Sequence, residues 1–407
     1  MPQAPRMTVR LGIRPAHLHI VACELASRVA APAYDTQSAR AQARRARDPL
    51  SFLHVLRAVD TDPQRRHNRH ALERLLGGDV FDAGSGPRFA WYRLTTSDGH
   101  TQTGLVAEVA ISDYDEGRIV RHEHTRADRE ERLAAFQRAV PVEASPVALA
   151  FRADRNLRRL QRRETAGRPL VHFTSEDGTE HAIWTTSDSS VIAEVHDALG
   201  AIDRLYVTDG HHRLAAASRV AAAGRAAGTD IDAADQWVLA ALFPDDDLRI
   251  LPFHRAVTRP HGVTTEHLVA TIASHIAVEP TAAAGVPDAP HTFCAWIDGG
   301  WYLLRADAAA IGDAPLDGLD VTVLQQQVLE PALGVHEPRL DPRLTYVAGD
   351  TDAVIDHCRR TRSIGFMLRP TSMAELMMVA DGDTVMPPKS TLFSPKTCAG
   401  VVLRLTE

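Results

Sequence analysis

The chain has 407 residues, a formal net charge of −7, and 44% hydrophobic against 24% charged residues. This is a globular mixture and excludes a disordered, collagen-like or coiled-coil protein. The negative charge leaves no global basic field for nucleic acid or an anionic membrane, and the length predicts two or three packed units.

The start alternates apolar and polar residues (VRLGIRP) and predicts a strand. VAAPAYD follows as an extended stretch, then TQSARAQARRARDP as a helix, SFLHVLRAV as a strand and HALERLLGGDV as a helix closed by Gly77 and Gly78. Two apolar runs around Ser97, Asp98 and Gly99 predict a hairpin. DYDEGRIVRHEHT begins as a loop, and ADREERLAAFQRAV is a helix with Arg and Glu on its wet face. PVALAFR, an Arg-rich helix and HAIWTTS come next, then the helix SSVIAEVHDALG. In RLYVTDGHHRLAAASRV, Leu205 to Val207 predict a buried strand, Thr208 to His211 a tight turn, and Arg213 onward an Ala-rich helix. WVLAALFP, a DDD turn and RILPFHRAV predict a second hairpin. Helices and short strands alternate from about 263 to 380. SIGFML and SMAELMMVADG then read as strand and helix, and the loop MPPKSTLFSPK leads to a closing strand, GVVLRL. The expected fold is mixed α/β, with a core over 1–262 and a C-terminal α/β lobe over 263–407 that lends its loop to the site.

Cys23, Cys294, Cys358 and Cys398 stand far apart with no CxxC, which excludes a zinc ribbon or thioredoxin motif and fits a reducing cytosol. The N-terminus lacks the apolar run of a signal peptide, and no window of about 18 apolar residues exists. A cytoplasmic protein without a membrane span is expected. All but two of the 45 basic residues are arginine, and the two lysines, Lys389 and Lys396, share one short segment. An ammonium differs from a guanidinium mainly at phosphates, carboxylates or proton-transfer sites; chance clustering is the plain alternative.

Four constellations carry candidate chemistry. In Asp209-Gly210-His211-His212-Arg213 a strand ends, Gly210 permits a sharp turn and a helix begins. Helix-start amides there converge with two imidazoles and a guanidinium, a natural anion site; the plain reading is a capped helix with two surface histidines. His122-Glu123-His124-Thr125 offers a general acid/base pair or metal ligands. In an extended loop His122 and His124 would share one face and Glu123 the other. The closing loop sets Lys389, Ser390, Thr391 and Lys396 on a path stiffened by two prolines. Ala31-Pro32-Ala33-Tyr34-Asp35 is a Pro-containing turn with a carboxylate. A P-loop, a GxGxxG after a strand and a GxSxG elbow are all absent. Asp245 to Asp247 read as a turn and LRRLQRRE as a solvated helix.

VAAPAYD, DYDEGRIVRHEHT, LYVTDGHHRLAAA and MPPKSTLFSPK, in that order, resemble the bacterial and archaeal "domain of unknown function 1015" family, with FPDDDLRILPFHR and HAIW in agreement. Ala33 departs from the family's second proline, and Leu214 from its usual aromatic. More distantly, DGHHR between a strand and a helix is similar to the phosphate-binding turn of the ParB/sulfiredoxin superfamily, which includes archaeal free-serine kinases. That resemblance implies a ParB/sulfiredoxin-like core, with Asp209 near metal or catalysis and Gly210, His211, His212 and Arg213 on nucleotide phosphates.

The combined expectation is a small-molecule kinase moving a phosphoryl group from ATP or ADP to the hydroxyl of free serine or a similar metabolite. The work is positioning and charge stabilisation. Glu123 or Asp35 would be the base, Arg213 with His211 or His212 would offset charge, and Mg²⁺ would bridge phosphates near Asp209. Lys389 would close over the site or meet a substrate carboxylate, with His122, Thr125, Ser390 and Thr391 on substrate. The alternatives are a nucleotide-gated regulator of the ParB kind and a metal-dependent hydrolase with His122, His124, His211 and His212 as ligands. Nucleotide and a small molecule are the expected partners, without nucleic acid or membrane. The oligomeric state stays open, a homodimer among the options.

Overall fold

A computed structural model describes residues 10–33, 39–57, 61–282 and 285–407. The architecture is mixed α/β, as expected. The chain divides into two compact units: Met1–Leu248 with Pro395–Glu407, and Arg249–Ser394.

A nine-stranded sheet forms the centre of the first unit. Its strands run in the order Ile119–Val120, Leu205–Asp209, Val147–Phe151, Trp237–Pro244, Thr101–Ala110, Phe89–Thr95, Glu180–Thr186 and Val171–Thr174, with Ile13–Arg14 added along Thr101–Ala110. Strand Phe89–Thr95 sends Phe89 and Trp91 to one core and Ala90, Tyr92 and Leu94 to another. A strand buried on both faces reads as a continuous apolar run, and FAWYRL is one. On one face pack the helices Arg155–Glu164, Ser189–Leu199 and His211–Ala226, through residues such as Leu157, Val195 and Leu214. On the other lie helix Asp62–Leu76 and a four-stranded sheet ordered Phe81–Asp82, Leu18–Val21, Val402–Leu405, Val142–Glu143.

The second unit has its own six-stranded sheet, ordered Ala277–Pro280, Gly300–Arg305, Thr292–Ile297, Ser363–Met367, Phe253–Thr258, Leu344–Ala348, all antiparallel. Helix Thr351–Thr361 covers it through Val354 and Cys358. A short ladder, Ile250–Leu251 with Leu392–Phe393, closes the unit at its two chain ends.

Four expectations change here. The boundary falls at Leu248, not 262, because Phe253–Thr258 pairs with Leu344–Ala348 and Ser363–Met367. The last residues return to the first unit, where Val402–Leu405 lies between two of its strands. WVLAALFP and RILPFHRAV are therefore not a hairpin: they serve different sheets. SFLHVLRAV holds a 3₁₀ turn, Phe52–His54, in place of a strand. Among the described residues no helix is long and apolar enough to cross a membrane.

Candidate functional site

Strand Leu205–Asp209 runs parallel to Ile119–Val120, with Tyr206 opposite Val120. Both strands therefore end on the same side, and the loop from Arg121 to Arg126 meets the Asp209-Gly210 turn. Gly210 has φ 94°, a left-handed conformation for which the turn requires glycine, and the Arg213 guanidinium lies where a Cβ would stand. Helix His211–Ala226 follows at once. The amides of its first turn have no carbonyl four residues back, and the helix dipole adds positive potential.

Asp209 is the electrostatic centre of the turn. One carboxylate oxygen meets Arg213 at 2.6 Å and the other meets Lys396 at 2.9 Å. Burial opposes its ionisation and is the largest single influence, yet the charges and hydrogen bonds of Arg213 and Lys396 together hold its carboxyl below the usual range. Arg213 also donates to the Ser145 hydroxyl at 2.7 Å and to the Ser145 and Pro146 carbonyls. Its fork is thus spent on the protein, and Arg213 braces the turn where direct phosphate contact was expected. Lys396 is 14% exposed. Its segment is held by Gln102, which donates to the Pro395 carbonyl, and by the Cys398 amide, which reaches the Tyr92 hydroxyl at 3.5 Å.

The two histidine motifs meet edge to face. The rings of His122 and His211 lie 4.5 Å apart at 88°. Burial pushes His122 down to about 4, against a hydrogen bond with the Val207 backbone. Burial first, then His122 and the neighbouring cations, drives His211 well below its ordinary value. Both rings are neutral at pH 7, and the buried Nε2 of His211 has no hydrogen-bond partner among the described residues. His212 is half-buried; its Nδ1 accepts from the Arg126 amide at 3.4 Å. Burial, then Arg129, lowers its pKa, while Glu123 and Glu130 oppose the shift. Glu123 and His124 are exposed and His122 is buried, so the loop does not keep the alternation expected of an extended segment. Thr125 donates to Glu130 at 2.5 Å, and Glu130 pairs with Arg219. The Glu130–Arg219 pair ties helix Ala127–Ala139 to helix His211–Ala226, and the Thr125 hydroxyl supports it, where substrate contact was expected.

The remaining expected residues belong to other segments of the chain. Ala31 exchanges both backbone hydrogen bonds with Ala399, which sets the start of the Ala31-Pro32-Ala33 motif beside the Lys396 segment; Asp35 lies outside the described residues. Lys389 belongs to the second unit, with φ 54° and its ammonium 5.1 Å from the Phe253 ring centre. Ser390 donates to the Pro387 carbonyl and accepts from Thr371 on its own carbonyl, and Thr391 follows it, half-buried. The lysine at Asp209 is Lys396, which sequence reasoning ranked second; the compositional signal marked both lysines equally, and only the return of the last strand separates them.

As a magnesium ligand Asp209 fits poorly, because each oxygen already faces a cation. Among the described residues no group of three His, Cys, Asp or Glu side chains is arranged to hold a metal, so the four histidines do not gather as a hydrolase centre. What gathers at the turn is a helix start, the Lys396 ammonium, the His211 ring, and a carboxylate paired with two cations.

Comparison with known proteins gives a family and distant structural likenesses. The profile of the family described as "Protein of unknown function (DUF1015)" matches residues 12–322. No curated protein matches the chain. Among solved structures, it is similar to a free serine kinase variant in complex with ADP, at 11% identity, covering 71% of this chain and 87% of that one, TM-score 0.33. It is also similar to C-terminally truncated SbnI from Staphylococcus aureus, at 13% identity over 72% and 85%, TM-score 0.36. A conserved hypothetical protein from Pyrococcus furiosus matches at 12% identity over 72% and 93%, TM-score 0.34. Likenesses at these scores establish neither a shared reaction nor a shared ligand.

Proposed function

The chain belongs to the DUF1015 family, whose description assigns no activity, and from the geometry of the Asp209 turn we propose that it is a small-molecule phosphotransferase. It would move a phosphoryl group from ATP or ADP to the hydroxyl of free serine or a similar metabolite. The observation that carries this reading is that Lys396 pairs with Asp209, directly before a helix whose first residue, His211, has a buried Nε2 without a hydrogen-bond partner among the described residues. Phosphoryl transfer asks a protein chiefly to hold phosphates in line and to stabilise their charge. The amides of His211, His212 and Arg213 would hold phosphate oxygens, and Lys396 would neutralise them. The uncharged His211 ring would donate a hydrogen bond from Nε2. Asp209 and Arg213 are positioning residues: they fix the ammonium and the turn. Glu123, exposed and close enough to His212 to oppose the lowering of its pKa, would accept the hydroxyl proton, with Asp35 the other candidate base.

The test incubates the purified chain with ATP or ADP, Mg²⁺ and a metabolite pool containing serine, followed by mass spectrometry. A new phosphorylated metabolite, lost in the Lys396→Ala variant, is the expected result. Nucleotide binding with no phosphorylated product would replace the enzyme by a nucleotide-gated binding protein. Tightly held stoichiometric zinc or iron would replace it by a metal-dependent hydrolase.

A further inference from the structure

The second unit carries a cavity of about 470 Å³ that the reaction above does not use. This is the size of a small-molecule site. It is lined by the loop from Thr258 to Val263, by Trp296 and Asp298, and by the end of helix Thr351–Thr361 with Arg362. Its lining includes three arginines, Arg259, Arg359 and Arg362, and one carboxylate, Asp298.

That carboxylate is already used. Asp298 pairs with Arg259, which also donates to the Val263 carbonyl, and it accepts from Thr265 at 2.5 Å. Arg359 is 66% exposed; the exposed Asp356 is 3.9 Å away, and Trp296 is 6.0 Å off as a ring wall. Arg362 has φ 54° at the helix C-cap, a left-handed position that glycine normally fills. Its carbonyl accepts from the Arg259 amide at 3.1 Å, so the strained backbone is held while the side chain lines the cavity. A charged residue kept in a left-handed conformation signals a task for its side chain. His261 adds an imidazole to the same wall.

We propose that this cavity binds a small polyanion, a metabolite with at least two phosphate or carboxylate groups, with Arg359 and Arg362 as its forks. Guanidiniums match both oxyanions in bidentate fashion, so the two sources share one chemistry.

Calorimetric titration of the full chain with inorganic pyrophosphate, and separately with citrate, tests it. Wild type should bind at least one of them with a Kd below about 1 mM, and the Arg359→Ala/Arg362→Gly double variant should bind at least about tenfold more weakly. Glycine suits the left-handed backbone, so a melting curve should show the double variant folded. Arg305→Ala, at an exposed arginine of the same unit outside the cavity lining, should bind as wild type does. Pyrophosphate-only binding names phosphate as the ligand group, and citrate-only binding names carboxylate. The proposal is overturned if wild type binds neither, or if the double variant binds equally well. It is also overturned if binding is lost in Lys396→Ala alone, which would place the anion at the helix-start turn. Because these arms use no turnover, their outcome is independent of whether the chain is a phosphotransferase.

Discussion

A carboxylate that holds two cations behaves differently from one that binds metal, and Asp209 makes the difference measurable. Lys396 is kept in place by Asp209, and a charge-assisted contact from it to phosphate is worth about 1.5–3 kcal/mol. Lys396→Ala should therefore weaken nucleotide binding, read by calorimetry, by at least about tenfold. Lys389→Ala is the comparison, and a larger loss there would move the site lysine to the second unit. The histidine pair supplies a second measurement. His122 has a folded pKa of about 4 against 6.5 for an ordinary histidine, so below pH 6.5 the unfolded chain binds a proton that the folded chain refuses. Stability is then fully present above pH 6.5 and falls as pH drops toward 4, by about 3 kcal/mol for a shift of this size. Urea unfolding of His122→Asn should show a shallower slope across that window than wild type; an identical slope would mean that His122 is charged in the folded protein. Sequence reasoning found both histidine motifs but not their burial. His122 and His124 are equally polar on paper, and only the packing of the ring on His211 distinguishes them.

At the scale of elements, the strand-turn-helix was legible because its signals are local: three apolar residues, a glycine with forced φ, and an Ala-rich helix. The helices at 189–199 and 373–381 were legible for the same reason, each with a side-chain cap from Asp188 or Ser372. The supposed hairpin across Asp245-Asp246-Asp247 was not. Two apolar runs around an acidic turn match a hairpin pattern, but Asp246 and Asp247 are held by Arg158, 89 residues from Asp247 in sequence. Nor could the role of the last strand be read. Arg404 is 2% exposed and pairs with Glu108 and Glu143, while Arg14 also reaches Glu108. Burial raises the Glu143 carboxyl even beside Arg404, and apart from Arg404 its recorded hydrogen bond is from the Leu239 amide. Removing one member of a buried pair costs about 3–5 kcal/mol because the other charge is stranded. Arg404→Ala should lower unfolding stability by that order in urea titration. Adding Glu143→Gln to it should recover part of the loss, since Glu108 keeps Arg14. A loss below about 1 kcal/mol, the value of an exposed pair, would show that Arg404 is not buried in solution.

Over the whole molecule, the second unit is an insertion whose ends meet. Ile250 pairs with Phe393, Leu251 with Leu392, and the Ser394 amide donates to the Arg249 carbonyl at 3.1 Å. The first unit therefore leaves at Leu248 and resumes at Pro395 across a gap that a short linker can span. Both halves of its chain are needed. Val402–Leu405 is an inner strand of the four-stranded sheet, and Lys396 and Cys398 sit beside Asp209 and Tyr92. Replacing 249–394 by a two- or three-residue glycine linker should give a folded protein with cooperative melting, because the nine-stranded sheet and both of its cores draw on residues outside the deleted segment. Truncation after Ser394 should not, because it removes the inner strand, Arg404 and Lys396 together. The excised protein should also bind nucleotide with an affinity within about threefold of the full chain if the helix-start turn and Lys396 suffice, a difference of less than 1 kcal/mol. Circular dichroism, a melting curve and calorimetry on the two deletions decide the matter. Folding of the truncated chain, or failure of the excised one, would mean that the first unit is not the self-contained body its strand pairing describes. Binding retained but turnover lost in the excised protein would assign the acceptor half of the reaction to the second unit, where Lys389 stands.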